Sequence, residues 1–348
     1  MKAKNRDDVG DEQQADCLPL NPSNPDDRMT LFNNHPVITR KFHIATPPIC
    51  RAFDSAVQTI ASGAPCCAYT AYPRSGKTWA ANYFGSRLAE AFPDTPVFKF
   101  HAHHETPQRR RFCTDLLRQT RSGIVPDKKA DPTDQVVNAW WAAAQDMRSG
   151  RLILIGDEMQ CLTLEAFSWL IDITNDLEDY GVRTVCVFFA QPELRAKKVT
   201  CAQAYRTDII GRFMLKIEAF AGITSSLELR SVMEAYDDPR EFEYPKNSGW
   251  SFTRFFLPKA YADGWRLASC AGECWEQFQA LALERENARG KLRPLNVGMQ
   301  WIASTITRVL IHFSDFDNAN VKVSGEMWRA CIVESGFLES LDLVYKAT

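Results

Sequence analysis

No apolar run in the 348-residue chain approaches the roughly 20 residues that cross a bilayer, so a transmembrane helix is not expected. The first residues are polar and lack the apolar centre of a secretory leader. Charge of one sign is not in excess. Lys and Arg number 41 against 43 Asp and Glu, for a formal net charge of −2. No global field therefore draws the chain to nucleic acid, and any such contact needs a local basic patch. There is no internal repeat and no long low-complexity tract, which excludes solenoids and arrays. Cysteine is present, but its eleven positions are odd in number and irregular in spacing, so a disulfide framework is missing. Several lie within apolar strand patterns, where Cys acts as a small hydrophobe, and a reducing, cytoplasmic setting is expected. His101, His103 and His104 have loose spacing, with no Cys or carboxylate to complete a metal set. Cys270 and Cys274 do not form a CxxC pair.

What is present is an ordinary globular composition, 45% hydrophobic and 24% charged, enough for one large domain or two modest ones. Strand-like runs occur at Cys66–Thr70, Val97–His101, 152–155, 184–189 and 214–220. Helical patterns separate most of them: 49–61 before the first, then Lys77–Ala91, 132–148 and 164–180. This alternation predicts an α/β fold with a five-stranded, mainly parallel sheet. Residues 1–28, rich in Asp, Asn, Pro and Gln, are expected to form a disordered or loosely docked arm. After Phe220 the pattern changes to helices, at 227–236, 296–313 and 324–333. The expected division is an arm over 1–28, a nucleotide-binding α/β domain over 29–222, and a helical domain over 223–348. The aromatic-rich stretch 251–283 reads first as core that packs the helical domain against the α/β domain, and second as an insertion for a partner.

Two motifs carry chemistry. Ala71-Tyr72-Pro73-Arg74-Ser75-Gly76-Lys77-Thr78 lies between a strand and a helix, the context a phosphate-binding loop needs. Backbone N–H groups of Arg74, Ser75 and Gly76 would face phosphate oxygens at a helix N-terminus. Lys77 would reach the β- and γ-phosphates of ATP, and the Thr78 hydroxyl would ligate Mg²⁺. Alanine replaces the first glycine of the motif, and its smaller backbone freedom predicts weakened nucleotide affinity. The second motif is a buried strand ending in Asp157-Glu158. Asp157 would help hold Mg²⁺ and Glu158 would polarise the attacking water. Either motif alone admits a bland reading as solvated loop and surface charge; the two in this order make that reading the weaker one.

At these residues the chain resembles the AAA+ ATPases, and within them the TniB/TnsC/MuB group of transposition regulators. Two further stretches carry the resemblance: Val187-Phe188-Phe189-Ala190-Gln191-Pro192-Glu193-Leu194, and Gly211-Arg212-Phe213 before the fifth strand. The likeness spans roughly residues 40–335. It implies an AAA+ P-loop ATPase fold with a C-terminal helical lid. It implies a sensor role for Gln191, at a position that often carries Asn or Thr. Arg212 matches an arginine finger supplied to a neighbouring subunit, with Arg206 as the competitor. Arg293, before the 296–313 helix, is the candidate lid arginine that reaches nucleotide. Arg109, Arg110, Arg111, Arg118 and Arg121 form the densest basic cluster, in the stretch from which that group contacts duplex DNA; a solvated face is the alternative.

The function this implies is an ATP-dependent, DNA-binding regulator of transposition. It would assemble on DNA as a ring or helical filament with ATP and Mg²⁺, and link a target-selection protein to a transposase. The alternatives are a P-loop small-molecule kinase and a nucleotide-gated scaffold with little turnover.

Overall fold

Successive side chains of the central strands point to opposite faces, and both faces are apolar, so the sheet requires a helical layer on each side. The computed structural model describes residues 21–104, 108–120, 127–287, 294–318 and 321–346. After α1 (Pro25–Asn34) and α2 (Pro36–Thr39), the α/β unit runs α3 (Pro47–Ser62), β1 (Cys66–Thr70), α4 (Lys77–Ala91), β2 (Val97–His101), α5 (Arg109–Gln119) and α6 (Pro132–Asp146). It continues with β3 (Arg151–Asp157), α7 (Leu164–Asp179), β4 (Arg183–Ala190), α8 (Glu193–Gln203), the short α9 (Thr207–Ile209) and β5 (Ile217–Ala219). The strand order is β2-β3-β4-β1-β5, and every pairing is parallel.

The period of two sorts the side chains between two cores. Leu152 and Leu154 of β3, with Cys186 and Phe188 of β4, pack under α5, α6 and α7. Ile153 and Ile155, with Val185, Val187 and Phe189, pack under α3 and α4. Helix starts follow local chemistry: the Asp131 carboxylate accepts from Thr133 N at 2.7 Å ahead of α6, and Thr163 Oγ1 accepts from Ala166 N at the start of α7. The fifth strand is shorter than the expected 214–220. Residues Ile210–Met214 instead form a π turn, because Phe213 and Met214 are buried in the core beneath β4 and α7. A local apolar run does not say whether burial is reached through a strand or a helical turn.

The helical unit comprises α10 (Ser226–Asp237), α11 (Phe252–Phe256), α12 (Pro258–Ala262), α13 (Ala271–Asn287), α14 (Met299–Ser314), α15 (Gly325–Ser335) and α16 (Phe337–Lys346). Phe252, Phe255, Phe256, Trp275 and Phe278 fill its own core, where the expectation had the stretch packing this unit against the α/β unit. An antiparallel bridge, Ile223 to Val297, ties the exit of the α/β unit to the start of α14. Gly222 is required there, since a Cβ would lie 2.3 Å from the Val297 carbonyl oxygen.

The N-terminal boundary differs from expectation. Leu31 and Val37 belong to the core of the helical unit, with Phe32, Phe42 and Ile44 against it. Segment 31–44 therefore packs with the C-terminal helices, and the α/β unit begins at α3. Of the expected arm, residues 1–20 lie outside the described residues, while α1 is already helical from Pro25. The Arg28 guanidinium donates to the Phe255 carbonyl at 3.2 Å, which docks α1 on α11. Every cysteine among the described residues is a free thiol. No helix among them is long and apolar enough to cross a membrane.

Candidate nucleotide site

The loop between β1 and α4 is built around two residues in the left-handed region, Arg74 at φ 64° and Gly76 at φ 97°. Gly76 caps α4, and only glycine adopts that conformation without strain. Ala71, in place of the first glycine, is not among the residues with positive φ. Its N–H continues the sheet by donating to the Ala190 carbonyl at 3.1 Å. Alanine therefore meets no backbone obstacle there, and the expected weakening of nucleotide affinity has no basis in this geometry. The Ser75 hydroxyl donates to the Tyr72 carbonyl at 2.7 Å and tightens the loop. Lys77 is 5% exposed, and its ammonium donates to the Ala71 and Tyr72 carbonyls at 2.8 and 2.9 Å. Burial lowers its pKa, against the charges of Glu158, Asp157 and Glu193, which raise it. An ammonium held only by loop carbonyls beside three carboxylates is a ready partner for an anion.

Parallel pairing brings the ends of β1, β3 and β4 to one edge, so the loop faces Asp157 and Glu158. Asp157 is 4% exposed. Its Oδ1 accepts from Glu158 N at 3.0 Å; Oδ2 is buried and accepts no hydrogen bond. His101 Nδ1 stands 3.4 Å from that Oδ2, too far for a good bond. A buried carboxylate oxygen without a donor, sharing a cleft with Thr78, suits a cation. Glu158 leaves the strand at φ 55°, a left-handed conformation uncommon for a residue with a side chain. Its Oε2 accepts from Gln160 Nε2 at 2.5 Å and from Gln191 Nε2 at 3.0 Å. Burial works to raise the Glu158 pKa, but these two amides and the Lys77 and His101 charges outweigh it and hold the carboxyl below its ordinary value. Gln160 Oε1 also accepts from Gln191 N at 2.9 Å, so Glu158, Gln160 and Gln191 form one network.

Two clefts flank the loop. One, of about 280 Å³, lies between the units and is lined by Phe42, His43, Gly76, Trp79, Phe220 and Gln300. The His43 and Trp79 rings sit 5.3 Å apart, and Arg74 Nη1 donates to Gln300 Oε1 at 3.0 Å. The other, of about 570 Å³, runs from Thr78 and Asp157 along β2.

The arginines are placed differently from one another. Arg212 lies in the π turn, its side chain 23% exposed; it pairs with Glu178 at 3.1 Å and donates to Asn175 Oδ1, both on α7. Arg206 pairs with Asp208 at 2.7 Å and donates to Ser168 Oγ at 2.8 Å. Arg109 donates to Thr133 Oγ1 at 2.8 Å, and Arg110 to the Asp127 and Ala130 carbonyls at 3.2 Å each, so both secure the 127–133 turn. Arg118 is exposed and lines the β2 cleft, apart from that turn. Arg111 is exposed on α5. Among the described members of the basic cluster, Arg109 and Arg110 thus face the 127–133 turn while Arg118 faces the β2 cleft. Arg121 and Arg293 lie outside the described residues.

Several residues near the site have no motif to announce them. His101 reaches it only through the pairing of β2 with β3, while Gln160 follows Glu158 by two residues. Lys197 of α8 donates to the Gln160 carbonyl at 2.8 Å and to the Leu162 carbonyl, fixing the turn after Glu158. Arg195 bridges Thr70 Oγ1 at 3.3 Å and the Ile217 carbonyl at 3.1 Å. Trp79, directly after the loop's threonine, and Gln160, two residues past Glu158, are the ones that adjacency could have flagged.

This loop, strand-end pair and all-parallel sheet define an AAA+ P-loop fold. Residues 60–197 match the family described as AAA domain. No curated protein matches the chain by sequence. Similar solved structures include the Aeropyrum pernix ORC2 protein in ADPNP–ADP complexes, 14% identical, TM-score 0.48, covering 84% of this chain and 68% of that one. The Aeropyrum pernix ORC1 protein in complex with DNA is 14% identical, TM-score 0.46, over 88% of this chain and 69% of that one. Domain III of the Thermotoga maritima replication initiation protein DnaA is 12% identical, TM-score 0.39, over 88% and 98%.

Proposed function

We propose that this chain is an ATP-dependent regulator that assembles on duplex DNA, and that it belongs with the transposition regulators its motifs resemble. The observation that carries the nucleotide part is the meeting of Lys77, Thr78, Asp157 and Glu158 at one sheet edge, with Gln191 bonded to Glu158. Thr78 and the orphaned Oδ2 of Asp157 would hold Mg²⁺, which when bound offsets charge on the β- and γ-phosphates. Lys77 exchanges its loop carbonyls for phosphate oxygens. The cleft beside Gly76 receives the base, with Trp79 and His43 along one wall. Glu158 positions and deprotonates water, while Gln191 and Gln160 set its orientation.

The DNA and transposition parts rest on the motif resemblance and on exposed Arg111 and Arg118. Both are tested by ATP turnover of purified protein with and without duplex DNA, alongside electron microscopy for ATP-dependent rings or filaments. DNA-stimulated turnover that coincides with assembly supports the reading; turnover indifferent to DNA, with no assembly, overturns it. One arrangement favours the alternative of a nucleotide-gated scaffold. Arg212 is paired within its own chain, so its use as a finger in hydrolysis requires that pairing to be released.

A further inference from the structure

Among the described residues, the sheet ends at β2, whose outer edge pairs with no further strand. Inward pairing to β3 uses alternate residues, as the Pro96 carbonyl accepting from Ile153 N and the Ala102 N–H donating to the Asp157 carbonyl, both at 2.9 Å, show. The backbone groups of Val97, Lys99 and His101 therefore point outward. At His101 they are satisfied by a side chain. Gln119 Oε1 accepts from His101 N at 2.7 Å and its Nε2 donates to the His101 carbonyl at 3.1 Å, the two bonds a neighbouring strand would make. Among the described residues, the outward N–H and C=O of Val97 and Lys99 have no such partner.

This edge is the floor of the cleft of about 570 Å³, walled by Thr78, Ala81 and Asn82 on one side and by Arg118, Gln119 and Thr120 on the other. An edge lysine commonly guards against pairing by lying across the strand. Lys99 does not; it is drawn aside, with its ammonium on Asn82 Oδ1 and its Cδ over Gly85. The positive charge along the groove comes from Lys99 and Arg118. Asp157 closes the inner end, and Asp115 lies 3.9 Å from Arg118.

We propose that this edge takes an extended acidic segment of a partner polypeptide as a sixth strand. The segment's backbone would pair with Val97 and Lys99 beyond the rung Gln119 already fills, and its carboxylates would lie beside Lys99 and Arg118. The inference stands on the strand edge and does not depend on nucleotide binding.

The test uses the full chain and a fluorescein-labelled, end-capped heptapeptide of alternating Glu and Val, read by anisotropy. Saturable binding is expected, weakened about tenfold or more by Lys99→Glu with Arg118→Glu. Methylation of the peptide's alternate amide nitrogens should abolish binding, because it removes the strand donors. Lys99→Pro removes the outward donor while leaving the ladder to β3 intact, and should weaken binding in the same way. Arg118→Glu alone, at an exposed helix position, covers the case in which a strand variant fails to fold. Hydrogen exchange should slow at the Lys99 amide when peptide is saturating. The proposal is overturned by no binding at about 1 mM peptide, or by binding indifferent to methylation or charge reversal. Equal binding of the Lys-Val counterpart also overturns it, as does displacement by duplex DNA but not by unlabelled peptide, which would assign the groove to DNA.

Discussion

Lys77 shows how one side chain couples the loop to its ligand. It is buried with only two carbonyls as partners, and three carboxylates nearby keep its charge favourable. Lys77→Ala should reduce ATP affinity by at least about a hundredfold, since charge-assisted bonds to phosphate are the strong ones. Calorimetry showing equal affinity would remove Lys77 from the site. Glu158 tests the chemical step separately. Glu158→Gln keeps the shape and loses the base, so binding should persist while turnover falls by about 10² to 10⁴. Gly156 supports both acidic residues. A Cβ there would come within 2.4 Å of Met159 Sδ and 2.9 Å of Phe188 Cδ1. Gly156→Ala should destabilise the protein by about 1–3 kcal/mol in urea titrations and lower turnover by moving the Asp157–Glu158 turn.

At the scale of elements, the docking of α1 and α2 on the aromatic helices turns on His35. It is fully buried, with its ring 4.6–4.8 Å from those of Tyr244, Phe252, Phe255 and Phe256. Its Nδ1 accepts from Val37 N at 3.1 Å and so caps α2. Burial pushes its pKa down to about 3. The unfolded chain protonates His35 near its ordinary value of about 6.5, the folded chain only near 3. The contribution is therefore complete above about pH 6.5 and is lost as pH falls towards 3, at about 1.4 kcal/mol per unit. Urea titrations across that window should show this slope, and His35→Leu should flatten it. An unchanged slope would place the titrating group elsewhere.

For the whole molecule, the question is whether a neighbour completes the site. In the isolated chain Arg212 is tied to Glu178 and Asn175, so service as a finger in trans requires assembly to break that pairing. Specific activity should then rise with protein concentration. Arg212→Ala should retain ATP binding and lose turnover by on the order of a thousandfold. Mixing inactive Arg212→Ala with inactive Lys77→Ala subunits should restore activity where an intact finger faces an intact loop. Co-assembly without recovery would pass the role to Arg206. DNA binding is expected to be salt-dependent, and replacing Arg111 and Arg118 by Ala should flatten the slope by about one unit for each phosphate that is no longer neutralised. Because Arg109 and Arg110 secure the 127–133 turn, changing them should cost stability as well as any affinity for DNA.

Local pattern determined much of this protein. The limits of β1, β2 and α4 could be read from apolar period and from the loop that joins strand to helix, since both depend on residues adjacent in the chain. The candidate residues Lys77, Thr78, Asp157 and Glu158 were legible for the same reason: the chemistry sits in short, contiguous motifs. Tertiary structure alone decided what those motifs touch. Gln191 meets Glu158 and Gln160 only because β3 and β4 pair in register. Segment 31–44 joins helices some 200 positions later because His35 and Phe42 fit the aromatic core there. Arg212 is paired, and the β2 edge is open, through the placement of distant positions beside one another. Such placement is set by the packing of the whole chain, which no window of sequence contains.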